Sequence, residues 1–506
     1  MNKTWLLLIP LLPVLLYTAA AALATTGHRD SAWRRAEGAA LLSMLTAGAA
    51  LGLAVHAGPI AAAGLRLDTV GSIVALLVAF VGWVIVRYSH RYLLGEAEER
   101  RYLQLLASTL ALVSLVLAAD HLLLLAAAWI GTSLTLHRLL RFYVERPAAR
   151  MAAHKKFLSA RAADAALLGA VTLLGVAYGT LSLDAMLSDA ALHGVPPLAQ
   201  AGLALLVVAA LLKCAQFPLH GWLIQVMEAP TPVSALLHAG VVNLGGLVLI
   251  RFSPLLAQAP LALLLLAAVA TITVVIATLV MGTRISIKVA LAWSTVAQMG
   301  FMLLQVALGL PAMALLHLIA HSLYKAHAFL AAGGIVQRQQ ALRLVSPGGP
   351  RVGRWALGAA VAPALAVGAG VAAGALATPA ELLAGAVLGL GLVPLAASGR
   401  PLATAVVVLA WFAGHAVASW LVAPPDFAVP PALVAAVGVA LLALFVTQAA
   451  VALRPDWPAV RALYPWAYGG FYVDERISRI LLARWPVPDP AANVRSASSK
   501  AVGEGS

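Results

Sequence analysis

"LLKCAQFPLHGWLIQVMEAPTPVSALLHAG", residues 211–240, sets a lysine, two histidines and a glutamate inside or beside runs that otherwise read as membrane-buried. Lys213 lies about 20 Å along an apolar helix at 1.5 Å per residue. Lys213, Gln216 and His220 are three and four residues apart, so they share a helical face. Pro218, between them, removes a backbone donor and crowds the carbonyl four residues earlier, which predicts a kinked or unwound helix. Broken helices inside a bilayer line water or an ion site, because the freed backbone groups need partners. Glu228 follows. Pro230 and Pro232 close this span and open the next, with His238 one to two turns inside it.

The surrounding composition decides the class. The chain has 506 residues, 62% apolar and 10% charged, with a mean hydropathy of +0.95. Apolar runs of about 17–25 residues recur along it, each long enough to cross a hydrocarbon core as a helix. With no water in the bilayer, such runs must pair their own backbone groups. The sequence therefore predicts an all-α, polytopic membrane helix bundle of about 14–15 transmembrane helices, some broken. Fifteen spans are expected, near 5–24, 38–56, 70–87, 102–118, 121–138, 162–180, 200–228, 232–250, 259–281, 287–308, 312–336, 355–377, 382–398, 402–422 and 430–453. The first also fits a signal peptide ending in "AAALATTG", although its reading as a span suits the charge topology.

The connections alternate in charge. One set holds Arg29, Arg34 and Arg35, then Arg91, Arg100 and Arg101, then Arg141, Arg146, Arg150, Lys155 and Lys156, and continues through Arg284, Arg338, Arg343, Arg351, Arg354, Arg400, Arg454, Arg461, Arg476 and Arg479. The other set carries Asp68, Asp120, Asp184, Asp189 and Asp426. The positive-inside rule makes the first set cytoplasmic, with the N-terminus outside and the C-terminus inside. Topology thus accounts for the net charge of +14, which is no sign of nucleic acid; an acidic cytoplasmic partner would also be attracted to it. The lone Cys214 excludes a disulfide framework and a Cys-based zinc or iron–sulfur site. Beyond 453, Trp457, Tyr464, Trp466, Tyr468, Phe471 and Tyr472 alternate with Pro, Gly and charges. They predict an interfacial segment or partner-docking surface, a short amphipathic helix near 473–484 and a disordered tail.

Seven lysines stand against 26 arginines. Arginine serves most loops, while Lys213 and Lys325 lie within spans and Lys288 opens one. A buried lysine can lose its proton near neutral pH and an arginine cannot, and intramembrane ionisable residues are costly and usually functional. In "HLIAHSLYKAHAFLAAGG", residues 317–334, His317, His321 and Lys325 are spaced i, i+4, i+8 on one face, with His327 turned away. A histidine pair at i, i+4 suits zinc, but a lysine one turn on is a poor neighbour for a dication. A proton relay and a structural polar stripe are the other readings. Ser294, Thr295 and Gln298 would hydrate a connection between the two clusters, and Lys288 fits either the relay or a snorkelling position.

Together these residues resemble the antiporter-like subunits of respiratory complex I, a family shared with multi-subunit cation/proton antiporters. "KCAQFPLHGWLIQVMEAPTPVSALLHAG" resembles its broken helix and histidine helix. "SIKVALAWSTVAQMGFM" resembles its lysine helix, and "LYPWAYGGFYVDE" resembles the L-type subunit. The likeness implies two inverted five-helix repeats: N-terminal helices over 1–100, a first repeat over 101–252, a second repeat with closing helices over 253–453, and an interfacial tail over 454–506. It also implies a proton relay through Lys213, His220, Glu228, His238, Lys288, His317, His321 and Lys325, with helix breaks at Pro218, Pro230 and Pro232.

Two positions depart from that family. Ile130, in "AAAWIGTSLTLHRLLRFY", stands where a glutamate partners the buried lysine, and spans 355–377 and 402–422 hold only His415 where a distal lysine or glutamate is expected. The pattern is similar to one branch, the membrane subunit of the DAB-type inorganic carbon transporter. That resemblance implies H⁺ or Na⁺ flow energising CO2 hydration in a large cytoplasmic zinc partner (DabA-type) that resembles a β-carbonic anhydrase, with no cofactor or metal in this chain. A proton-translocating subunit of complex I, a related hydrogenase or a Na⁺/H⁺ antiporter is the alternative, and a membrane scaffold for a soluble enzyme is a third. The chain carries no Gly-rich phosphate loop and no buried carboxylate pair, so it does not read as an enzyme alone.

Overall fold

The computed structural model describes residues 4–143, 145–333, 352–422 and 429–487. A 3-10 turn (Thr4–Leu7) enters α1 (Leu8–Leu23), followed by α2 (Arg29–Ala57), a hairpin of β1 (Ile60–Ala62) and β2 (Leu65–Leu67), α3 (Thr69–Tyr92), α4 (Glu99–Ala118) and α5 (Leu122–Leu140). Next come α6 (Pro147–Tyr178), α7 (Leu183–His193), α8 (Pro197–Lys213), α9 (Gly221–Gln225), α10 (Thr231–Ala239), α11 (Leu244–Arg251) and α12 (Ser253–Leu256). The chain continues through α13 (Pro260–Met281), α14 (Ile287–Ala307), α15 (Pro311–Leu330), α16 (Val352–Ala372), α17 (Pro379–Ala397), α18 (Pro401–Leu421) and α19 (Pro431–Leu453). Two short helices, α20 (Pro458–Tyr468) and α21 (Val473–Arg484), follow. Thirteen described segments are long and apolar enough to cross a membrane, so the chain is a multi-pass helical membrane protein. The shorter α8 and the polar-striped α15 occupy the other two of the fifteen expected spans. The expected tail beyond 487, and Arg338, Arg343, Arg351 and Asp426, lie outside the described residues.

The structure differs from the sequence reading where polar residues are buried. α6 begins at Pro147 rather than near 162, with proline at a first-turn position that tolerates its missing N–H. Its polar opening is not a loop, because Ala149, Ala152, Ala153, Lys155 and Lys156 are all buried. α2 likewise starts at Arg29 rather than near 38. Its first turns are held by Arg29 on Glu99 at 2.5 Å and by Trp33 stacked on His90.

The span expected over 232–250 splits into α10 and α11 through a 3-10 turn, Val241–Asn243. Glycines explain how α11 then packs. A Cβ at Gly245 would lie 2.5 Å from the Cys214 sulfur, and one at Gly246 would collide with Met302. Only bare backbone lets α11 touch α8 and α14 this closely.

At the acidic face, charge is cancelled locally. Arg66 pairs with Asp68 and Asp184, each at 2.8 Å, and lies 3.7 Å from Asp120. Arg251 reaches Asp68 at 3.2 Å and donates to the Leu117 carbonyl. These two arginines are absent from the alternating loop pattern because both are spent on carboxylates. Burial pushes the Asp68 carboxyl up, but Arg251, Arg66 and the Gly71 N–H outweigh it and hold it below the ordinary range. A depressed carboxyl stabilises the fold fully above its unfolded pKa of about 3.9, and that contribution is lost as pH falls through the folded value. Asp68→Asn is therefore expected to lower thermal stability in detergent at pH 7 by about 3 kcal/mol, the scale for breaking a buried pair. The gap from wild type should narrow when melts are repeated below about pH 4; a gap independent of pH would contradict the assignment.

Candidate functional site

α8 ends at Lys213, and its amine meets Asp164 of α6 at 2.8 Å and the Ser133 hydroxyl of α5 at 3.2 Å. The Trp129 ring lies 4.9 Å from that amine. Both partners of the ion pair are buried, at 6% and 7% side-chain exposure. Arg161 takes the other Asp164 oxygen at 2.5 Å, and Lys156, buried alongside, donates to the Ser133 carbonyl. Three cationic side chains thus crowd one carboxylate. Two are amines, which can exist without their proton, and the third is a guanidinium, which cannot.

The carboxylate is the residue that sequence reasoning missed. Ile130 is half-buried on α5, and the lysine's partner comes instead from the next helix. A lone aspartate in the apolar run "AADAALLGAVTLL" was the available signal, since an isolated acid in a span is functional by default.

Beyond Lys213 the helix stops. Residues 214–220 are non-helical or turn, with a cis Phe217–Pro218 bond. Gln216 caps the opened chain by donating to the Cys214 carbonyl, and the Phe217 N–H finds Thr273 on α13 at 3.0 Å. His220 is fully buried, sandwiched by Phe217 at 5.3 Å and Trp293 at 4.9 Å between ring centres. Neither of its ring nitrogens has a protein partner. Such orphaned buried groups mark hydrated or functional positions.

The path continues on α10, where Pro230 precedes the helix and Pro232 lies in its first turn. His238 Nδ1 lies 3.1 Å from the Thr295 hydroxyl of α14, and its ring stacks on Phe329 at 4.4 Å. A cavity of about 20 Å³, bordered by Lys213, Lys156, Ser133, Leu237 and Val241, connects the two helices. A second of the same volume lies across the break, against Asn243 and Ser322. Each is large enough for about one water. Asn243 donates to Ser322 at 2.7 Å, a pair that sequence spacing did not reveal because it joins residues on different helices.

On α15, Lys325 is fully buried and donates to the Leu291 carbonyl at 2.9 Å and to the Ser294 hydroxyl. His238, His321 and Lys325 are close enough for their charges to interact. The His317 and His321 ring centres are 6.1 Å apart, and His317 is held by Gln305 at 3.1 Å. His327 is exposed, as its helical position predicts. Gln298 is exposed too, so only Ser294 and Thr295 of the three expected polar links face the cluster.

Glu228 and Lys288 sit apart from this axis. Glu228 is 43% exposed and 3.8 Å from Arg146, while Lys288 donates to Thr231 at 3.3 Å; both lie at the arginine-rich rim. At the far side, His415 of α18 stacks on Trp411, and α18 runs unbroken.

Fold and site together define an antiporter-like membrane subunit with a buried axis of lysines and histidines. Residues 119–347 match the family described as "NADH:quinone oxidoreductase/Mrp antiporter, TM". A protein of Hydrogenovibrio crunogenus named "Probable inorganic carbon transporter subunit DabB" is 45% identical over 376 residues, covering 73% of this chain and 72% of that protein. NADH-quinone oxidoreductase subunit L of Mycobacterium tuberculosis is 36% identical over 280 residues, 54% of this chain and 43% of that one. The chain spans roughly half the length of other curated relatives. A chain in the Mrp complex of Dietzia sp. DQ12-45-1b shares the fold at 23% identity, with a TM-score of 0.57 over 98% of this chain and 59% of that chain. The chain belongs to the complex I/Mrp antiporter-like family of membrane subunits, and two relatives named as inorganic carbon transporter subunits, at 45% and 50% identity, are more similar to it than subunit L at 36%.

Proposed function

We propose that this chain conducts protons, or Na⁺, as the membrane subunit of an inorganic carbon accumulating complex. The observation that carries the reading is the buried Lys213/Asp164 pair beside the helix break, with a small cavity bordering Lys213 and Leu237, the residue before His238. The route then runs through His321 and Lys325, with His220 facing the arginine-rich side. Identity of 45% to the Hydrogenovibrio protein supports carbon transport as the task.

In this reading the chain lies in a bacterial inner membrane with its N-terminus outside and its arginine-rich face cytoplasmic. It holds no catalytic site or cofactor of its own. Conversion of CO2 to bicarbonate belongs to a large soluble zinc protein docked on that face. The relay needs no fixed charge to move far. An amine that loses its proton to the next group, and regains one from behind, changes the field on Asp164 and Arg161, and this is the signal available to a partner. Likeness to subunit L favours the second reading, a respiratory or antiporter assembly.

A gentle pull-down of the tagged chain from native membranes separates them. A stoichiometric soluble protein carrying about one zinc, the count of a mononuclear catalytic site, is the expected result. Recovery of other antiporter-like subunits without zinc would transfer the chain to the respiratory reading.

A further inference from the structure

The tail packs back against the bundle. α21 is amphipathic and sits at the arginine-rich face, where His154 of α6 lies 2.9 Å from the Trp485 carbonyl. Arg284 holds the preceding turn through the Ala467 and Tyr468 carbonyls and lies over the Trp293 ring. From the first turn of α21, Asp474 points inward. Both its oxygens lie 2.9 Å from the Lys155 amine, and one accepts from Gln225 of α9 at 3.1 Å.

Gly221 makes this approach possible. A Cβ there would overlap the Asp474 carboxylate, so only glycine leaves room for an acid from the tail beside the broken helix. Gly221 is the residue after His220, so the Asp474 carboxylate is seated one residue from it. His220 is fully buried with neither nitrogen partnered, whereas Asp474 keeps 24% side-chain exposure. Asp474 is open to water, His220 is not, and the carboxylate packs on the residue next to His220 at the start of α9.

We propose that Asp474 is the proton-transfer group between water at the arginine-rich face and His220. This inference deepens the proposed relay and rests on it. The carboxylate takes a proton from water and passes it to an unpartnered nitrogen of His220, returning to the anion. Lys155 and Gln225 hold the carboxylate against α9 and stay outside the transfer. No group further along the tail is needed: Glu475 is exposed, and Ser478 touches Asp474 at 3.4 Å as a neutral neighbour.

The test uses the native assembly, purified with its partners and reconstituted in vesicles containing a pH dye, with flux driven by a valinomycin potassium potential. Asp474→Asn is expected to slow proton entry at least about 10-fold, the lower range for a lost proton-transfer group. Lys155→Gln, which keeps the carboxylate and replaces the buried ion pair with a neutral amide, is expected to stay within about 3-fold of wild type, because the proton-carrying group remains. A cysteine pair at His154 and Trp485, bridged by a flexible bismaleimide, reports whether α21 remains docked in each variant. Equal losses in both variants, or loss accompanied by failed cross-linking, would make Asp474 a structural clamp and overturn the proposal. So would unaltered flux in Asp474→Asn when Lys213→Ala abolishes it. Unaltered flux in Lys213→Ala would instead sink the relay on which the inference rests.

Discussion

Lys213→Ala, at unchanged expression, is expected to cut inorganic carbon accumulation by about 100-fold, the scale on which a positioned proton-transfer group is felt. Its amine is one half of the only lysine–aspartate contact among the described residues that lies wholly on transmembrane helices, at 2.8 Å from Asp164. Alanine removes the exchangeable proton and leaves Asp164 to Arg161, 2.5 Å away, and the neighbouring Lys156. Asp164→Asn should give a loss of the same order, because the amine then faces Lys156 and Arg161 with no counter-ion. The double variant should be little worse than either single one, since two groups acting as a unit are not additive. Full accumulation in Lys213→Ala would remove the pair from the mechanism.

The second large effect is at Lys325. Lys325→Met keeps the length of the side chain and fills nearly the same space in a fully buried position, so the fold is expected to survive or gain stability. Function should fall about 100-fold, because donors to the Leu291 carbonyl and the Ser294 hydroxyl disappear from the end of the histidine stripe. Lys325→Arg is the sharper variant: it preserves positive charge and cannot release its proton. A relay requires both variants to fail, a fixed-charge role spares the arginine, and a membrane scaffold spares both. Carbon uptake, alongside the amount of partner recovered with each variant, distinguishes these outcomes.

Much of this arrangement was legible in the sequence because the bilayer allows so few solutions. An apolar run of about 20 residues must become a helix, and Pro218 within "CAQFPLHG" must interrupt one. The same local logic places α21 at 473–484 and turns His327 away from the His317 stripe. What escaped were partnerships between helices distant in sequence. Asp164 and Lys213 are 49 residues apart, and Asp474 and Lys155 are 319 apart, so no spacing rule joins them. The break at residues 241–243 has no proline to announce it; it begins at Gly240, which ends α10 outside helical geometry. Buried polar turns such as the start of α6 read as loop, because hydropathy measures a residue's own character and not what surrounds it.

Ion flow along the Lys213 axis is proposed to drive inorganic carbon accumulation. Uptake of labelled inorganic carbon by cells carrying the chain with its co-purifying partner, measured with and without an uncoupler, tests it most directly. Accumulation is expected to collapse on adding the uncoupler and to be absent already in Lys213→Ala. Accumulation that persists in the uncoupled cells, or in the variant, would contradict it.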